Sequence, residues 1–153
     1  MNDYFQRLWR YTDWADARVI AFLEQSDAVP ERCRAFMAHI AAAQQEWLSR
    51  LTDDMTKPEA IWPDWTGSKL AEESERARRG WLAYAATLTP ADLTRSRAYQ
   101  NLSGVTFEDV LADIMTHVIN HSTHHRAQIA SAARAEGLEP PPTDFIYFVR
   151  EEA

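Results

Sequence analysis

Four of the five histidines of this chain, His117, His121, His124 and His125, fall within the single stretch THVINHSTHHRAQ. Neutral imidazole is the commonest metal ligand in proteins, and it also exchanges protons near neutral pH. What such a cluster can do depends on which rings share a face. On a helix each residue advances about 100°. With His121 set at zero, Phe107, Leu111, Ile114, Val118, Ile129 and Ala132 form an apolar stripe centred at roughly 40°. His125 falls at the middle of that stripe and His121 on its shoulder. His117 and His124 fall on the flank, where packing or surface roles suit them better than ligation.

His121 and His125 are four residues apart, so their rings stack on one helical face and can converge on one ion. The same pair spacing serves the HExxH metalloproteases, but Ser122 stands where that motif carries its general-base Glu. A zincin mechanism is therefore not supported. Nor do His117, His121 and His125 suit a single ion, because the outer two lie about 12 Å apart along the axis. A third ligand must come from another helix, and His39 is the one remaining histidine. Periodicity puts His39 beside the apolar stripe of its own segment, which leaves its direction open. Should it face the pair, three imidazoles with a free coordination position would suit Zn²⁺, Ni²⁺ or a similar divalent ion. Spacing alone leaves two readings open, a metal site and a pair of core imidazoles whose N–H groups are satisfied by the protein.

Four segments are predicted to position these rings. Tyr4, Leu8, Tyr11, Ala15, Val19 and Phe22 recur at helical spacing from Tyr4 to about Glu24, before a break beginning at Ser26 and Asp27 and completed by Pro30. A second helix is expected from about Glu31 to Leu51, with Phe36, Ile40, Ala43, Trp47 and Leu51 on one side. The stretch TDDMTKPEAIWPDWTGS reads as an irregular connection that packs down through Trp62 and Trp65. Ser68 is the expected cap of a third helix ending near Leu88. TRSRAYQNLSGVT suits a hairpin or an extended crossover, with a turn at Asn101–Gly104. Thr106 is the expected cap of a fourth helix reaching about Glu136, and Gly137 its stop. LEPPPTD ends regular helix, leaving FIYFVREE as a short apolar tail. Together these predict an all-α chain, a single domain over 1–153, folded as a four-helix bundle with a long crossover between helices three and four.

Composition narrows the rest. A chain of 153 residues, 46% hydrophobic and 25% charged, has the balance of an ordinary globular domain. A net charge of −7 argues against sequence-independent nucleic-acid binding, which needs clustered cations. A single cysteine, Cys33, allows no internal disulfide and reads as a small buried hydrophobe. No apolar run is long enough to span a bilayer, and the first residues lack a signal-peptide core. The default expectation is a cytoplasmic address with no membrane partner.

The segment HVINHSTHHRAQI resembles the hallmark of the DinB-like (DinB/YfiT) bacterial proteins, whose fourth helix reads close to HvvnHsthHRgqi. YTDWADARVIAFL is similar to the opening helix of that family, HIAAAQQEWLSRL to its second-helix histidine segment, and PPTDFIYFVRE to its closing stretch. Ala127 departs from the usual Gly, which bears on packing more than on ligation. The resemblance implies an up-and-down four-helix bundle, often homodimeric, with a divalent metal at one end. It implies a ligand set of one histidine from helix two and two from helix four, which by motif are His39, His121 and His125. It also implies a metal-dependent transferase acting on a small-molecule substrate with a low-molecular-weight thiol. The alternatives are a metal-dependent hydrolase, or a noncatalytic metal-binding or stress-response module.

No catalytic residue is nominated. Glu46 and Asp113, each two turns from a histidine, are candidates to orient a ligating ring, though both are expected to face water. Arg126 is expected to pair with an acid on a neighbouring helix. Trp62 and Trp65 are candidates for a pocket mouth or a core lid.

Overall fold

The computed structural model describes residues 2–25 and 28–152, so the predicted break at Ser26 and Asp27 lies outside the described residues. In chain order the elements are α1 (Asn2–Glu24), α2 (Glu31–Ser49), α3 (Gly67–Thr87), a short α4 (Pro90–Leu93), strands β1 (Ser96–Gln100) and β2 (Thr106–Val110), α5 (Leu111–Ala135) and α6 (Phe145–Glu152). The fold is all-α apart from that one antiparallel hairpin. No described helix is long and apolar enough to cross a membrane.

The four long helices form the bundle, and their directions follow from which residues meet. Asp13 pairs with Arg78, and Asn2 donates to the Leu88 carbonyl, so α1 and α3 are antiparallel. Cys33 meets the Ile129 carbonyl, Gln44 meets Ser122 and Trp47 meets His117, so α2 and α5 are antiparallel. One apolar cluster joins Val19, Met37, Leu70 and Ile129 at one end of the bundle. Another joins Trp9, Leu48, Trp81 and Met115 at the other. Both ends therefore require α1 parallel to α5 and α2 parallel to α3.

The order is up-down-down-up. This corrects the expected up-and-down order and the place of the long crossover. Parallel neighbours cannot be joined by a tight turn, so the chain must return the length of the bundle between α2 and α3. Residues 50–66 make that return, with Met55, Pro63 and Trp65 buried beneath it. The connection between α3 and α5 starts and finishes at one end of the bundle and needs no crossover.

Local chemistry explains the remaining boundaries. Thr66, not Ser68, precedes α3, with Gly67 at positive φ. Thr89 and Asp92 form a reciprocal capping box that starts α4. Asn101 Oδ1 accepts from the N–H groups of Ser103 and Val105, closing the hairpin whose register pairs Tyr99 with Phe107. That pairing holds Thr106–Val110 as strand, so α5 starts at Leu111 and Phe107 leaves the helical stripe for the surface. Gly137, at φ +76°, ends α5 as expected, with the Leu138 N–H returning to the Ala133 carbonyl. FIYFVREE is a helix, α6, docked on α1 through Phe148 and through Glu151 and Glu152 to Arg18 and Arg7. Its acids lie far along the chain from their partners, which is why local sequence did not show the pairing.

Candidate metal centre

Residues Met37 to Glu46 of α2 are buried without interruption, because α3, α5 and the returning segment cover this helix on three sides. That enclosure turns His39 inward, settling a direction that periodicity left open. On α5, His125 is buried and His121 half-buried, whereas His117 and His124 are exposed. His117 packs edge-on against Trp47 and His124 against the ring of His125. The structure thus brings together His39, His121 and His125, whose candidate ligand atoms all lie within 4.8 Å of one another.

The geometry has a definite form. His121 Nε2 lies 3.2 Å from the Nε2 of His39 and 3.2 Å from the Nε2 of His125. Three nitrogens bound to one tetrahedral ion at about 2.0–2.1 Å would stand about 3.3–3.4 Å apart. The opposite ring atoms show which tautomers are present. His39 Nδ1 is 2.7 Å from the Ile61 carbonyl, which can only accept, so Nδ1 carries the proton. His125 Nδ1 donates in the same way to Gln128 Oε1 at 2.6 Å. The Nε2 atoms of both rings therefore point bare lone pairs at His121. A single proton on His121 Nε2 can serve one of them but not both. A cation at the centre would satisfy all three, and the donor set fits a divalent ion.

Electrostatics agree. Burial lowers the pKa of His39, His121 and His125. His121 falls furthest, to about 4, through burial and then repulsion by His125 and His39. All three rings are therefore neutral at pH 7, the state a metal ligand requires.

The surroundings hold the rings in place. Trp62 lies flat on His39, centroids 3.8 Å apart and planes within 2°, and Phe36 stacks on His125 at 5.7 Å. Trp62 is half-exposed and roofs the site, whereas Trp65 is core. A cavity of about 320 Å³ opens beside His39 and His121, bounded by Glu46, Trp47, Arg50 and the hairpin tip. A larger one, about 810 Å³, lies between α1, α5 and the 141–147 segment and touches none of the three imidazoles.

Comparison with known proteins gives the context. The model of the DinB family matches residues 31–152, a span that includes all three histidines. The chain belongs to the DinB family. Protein DinB of Bacillus subtilis (strain 168) is 21% identical over 160 residues, covering 95% of this chain and 93% of that protein. No solved structure gives a significant match. Membership of the DinB family and the imidazole cluster together describe a DinB-like protein whose histidines could hold a metal ion.

Among the supporting residues, Glu46 differs from expectation and Asp113 does not. Glu46 is buried, not water-facing, and Asp113 is exposed; neither orients a ligating ring. The rings are oriented by Gln128 and by the Ile61 carbonyl. Gln128 was within reach of sequence reasoning, since it lies three residues after His125 on one helical face. The Ile61 carbonyl belongs to an irregular segment and has no sequence signature. Arg126 does pair with an acid, Asp16 on α1, at 2.6 Å. Cys33 is fully buried, and its burial raises the thiol pKa.

Proposed function

We propose that this DinB-family protein is a metal-dependent transferase in which His39, His121 and His125 hold a divalent ion, Zn²⁺ or Ni²⁺, and a low-molecular-weight thiol is the co-substrate. The observation that carries the reading is the convergence of three Nε2 atoms with two of their lone pairs fixed by Nδ1–H donors. A bound divalent ion would supply Lewis acidity, lowering the pKa of a thiol or water at its remaining position.

The chain itself does the rest. Ile61 and Gln128 hold the His39 and His125 rings in the ligating tautomer. Trp62 and Phe36 exclude water from two sides of the cluster. The cavity beside His39 and His121 gives a small molecule a way in from the hairpin side. Self-association belongs to the same proposal: exposed Tyr4, Ile146 and Tyr147 offer apolar surface to a second copy, and light scattering would read the mass.

Metal analysis of purified protein tests the premise, with one divalent ion per chain expected. Thiol-conjugation and esterase panels on the wild type and His125→Ala then separate the activities. Thiol transfer lost in the variant supports the proposal. Ester hydrolysis alone would replace it with the hydrolase reading, and silence with metal bound would leave a binding module.

A further inference from the structure

The buried acid and base that line the cavity have no part in the cluster as described so far. Glu46 is 6% exposed and Arg50 carries a side chain 8% exposed, on successive turns of one face at the end of α2. Arg50 Nε donates to Glu46 Oε1 at 3.2 Å, and Nη2 lies 3.0 Å from the same oxygen. Lys57 approaches that oxygen too, at 3.7 Å. Arg50 and Lys57 thus both address Oε1. Glu46 Oε2 and Arg50 Nη1 take no partner among the described residues, yet neither is sealed away from solvent. Both residues line the cavity shared with His39 and His121.

Each residue therefore keeps hydrogen-bonding capacity for a group that enters the cavity. A buried pair gains most when its remaining lone pairs and protons are also satisfied. The guanidinium is also held still, lying over Trp47 at 4.4 Å and Tyr99 at 5.4 Å from the ring centroids. A fixed guanidinium N–H matches a carboxylate, and a fixed carboxylate oxygen beside it matches an ammonium. One common group carries the complementary carboxylate and ammonium on a single carbon, the zwitterionic end of an α-amino acid. Asn101 and Ser103 of the hairpin tip close the opposite wall with polar side chains.

We propose that Glu46 and Arg50 bind the α-ammonium and α-carboxylate of a ligand whose other end reaches the three imidazoles. This rests on the thiol reading of the site and specifies it: the thiol carries a free α-amino acid group set off from its sulfur by a spacer. Glu46 lies two helical turns, about 10 Å along the axis, from His39. A γ-glutamyl spacer is of that order.

The test uses full-length protein loaded with Co²⁺, whose thiolate charge-transfer absorption reports sulfur binding at the ion. γ-Glutamylcysteine, its N-acetyl derivative, its glutamyl α-amide and 2-mercaptoethanol are titrated in turn. γ-Glutamylcysteine is expected to bind at least tenfold more tightly than the other three. Arg50→Met should remove its advantage over the α-amide, and Glu46→Gln its advantage over the N-acetyl form, with cobalt content unchanged in both. Equal affinities for all four thiols, or variants that leave the preference intact, would overturn the inference while leaving the thiol reading standing. No absorption change with any thiol, cobalt being bound, would overturn both. Should Glu46→Gln fold poorly, Arg50→Lys decides instead: it keeps the charge but not the fork, and the preference should fall.

Discussion

Two polar clusters lie at one level of α5, because Ser122 and Arg126 directly follow His121 and His125 and so sit about 100° round the helix from them, and their difference separates stability from function. Asp16, Gln44, Ser122 and Arg126 form a closed layer across the middle of the bundle, between its two apolar ends. Gln44 donates to Asp16 at 2.7 Å and to Ser122 at 3.0 Å, while Arg126 reaches Asp16 at 2.6 Å, Thr123 at 2.9 Å and the Tyr11 hydroxyl at 3.2 Å. The protein supplies nearly every partner. At His39, His121 and His125 the protein aims three Nε2 atoms at one point, two of them with bare lone pairs, and one proton on the third cannot serve both. A polar group buried by folding alone is normally satisfied by folding alone. The first cluster obeys that rule at every atom but Arg126 Nε, and the second departs from it in the way a ligand site does.

Breaking the closed layer should have the largest effect on stability. Asp16→Ala strands the Arg126 guanidinium in the interior, a change that costs about 3–5 kcal/mol. The urea midpoint should fall accordingly. Replacing both members together, Asp16→Leu with Arg126→Met, should recover most of the loss. If the single variant is as stable as the wild type, the layer is not a closed unit and the contrast with the imidazoles fails.

His121→Ala should do the opposite: little harm to the metal-free fold, and loss of the ion. His121 Nε2 lies 3.2 Å from the Nε2 of each of the other two rings, so its removal should weaken metal affinity by more than the roughly 10–100-fold that losing an outer-shell partner costs. Competition titration against a chelator would measure it. Retained affinity would place the ion elsewhere.

Much of this contrast was legible in the sequence, and the parts that were not share a cause. Helical spacing selected His121 and His125 because both ligands belong to one element. It also separated off His117 and His124. The direction of His39 depends on three covering elements, which no single segment encodes. Phe107 satisfied the helical stripe by period, yet cross-strand pairing with Tyr99 outweighed that signal. The parallel arrangement of α2 and α3 was hidden for the same reason, since chain direction is set by end-to-end packing between distant residues. Arg126 was expected to meet an acid, but the identity of Asp16 required the α1–α5 contact.

Acid should sharpen the comparison. In the metal-free protein the His121 pKa is about 4, below the 6.5 of a free imidazole. Below pH 6.5 the unfolded chain therefore takes up its proton first. The contribution of His121 to stability is complete above about pH 6.5 and is lost as the pH falls towards 4. Denaturation midpoints of metal-free wild type should drop through that window, and those of His121→Leu should drop less. With metal present, the same protons compete with the ion, so affinity should fall over the same range. A parallel decline in both proteins would assign the acid sensitivity to other groups.

The smallest expected effect concerns Trp62. Its indole lies flat on His39, but it is half-exposed, and an aromatic pair contributes about 0.5–1.5 kcal/mol beyond its buried area. The preceding residue separately fixes His39 through the Ile61 carbonyl. Trp62→Ala should therefore keep stoichiometric metal and weaken its binding only about two- to tenfold, the same energy at about 1.4 kcal/mol per decade. A near-total loss would mean that the returning segment, and not α2, holds His39 in place. The open cluster would then be assembled by a loop, while the closed one beside it is built entirely on helices.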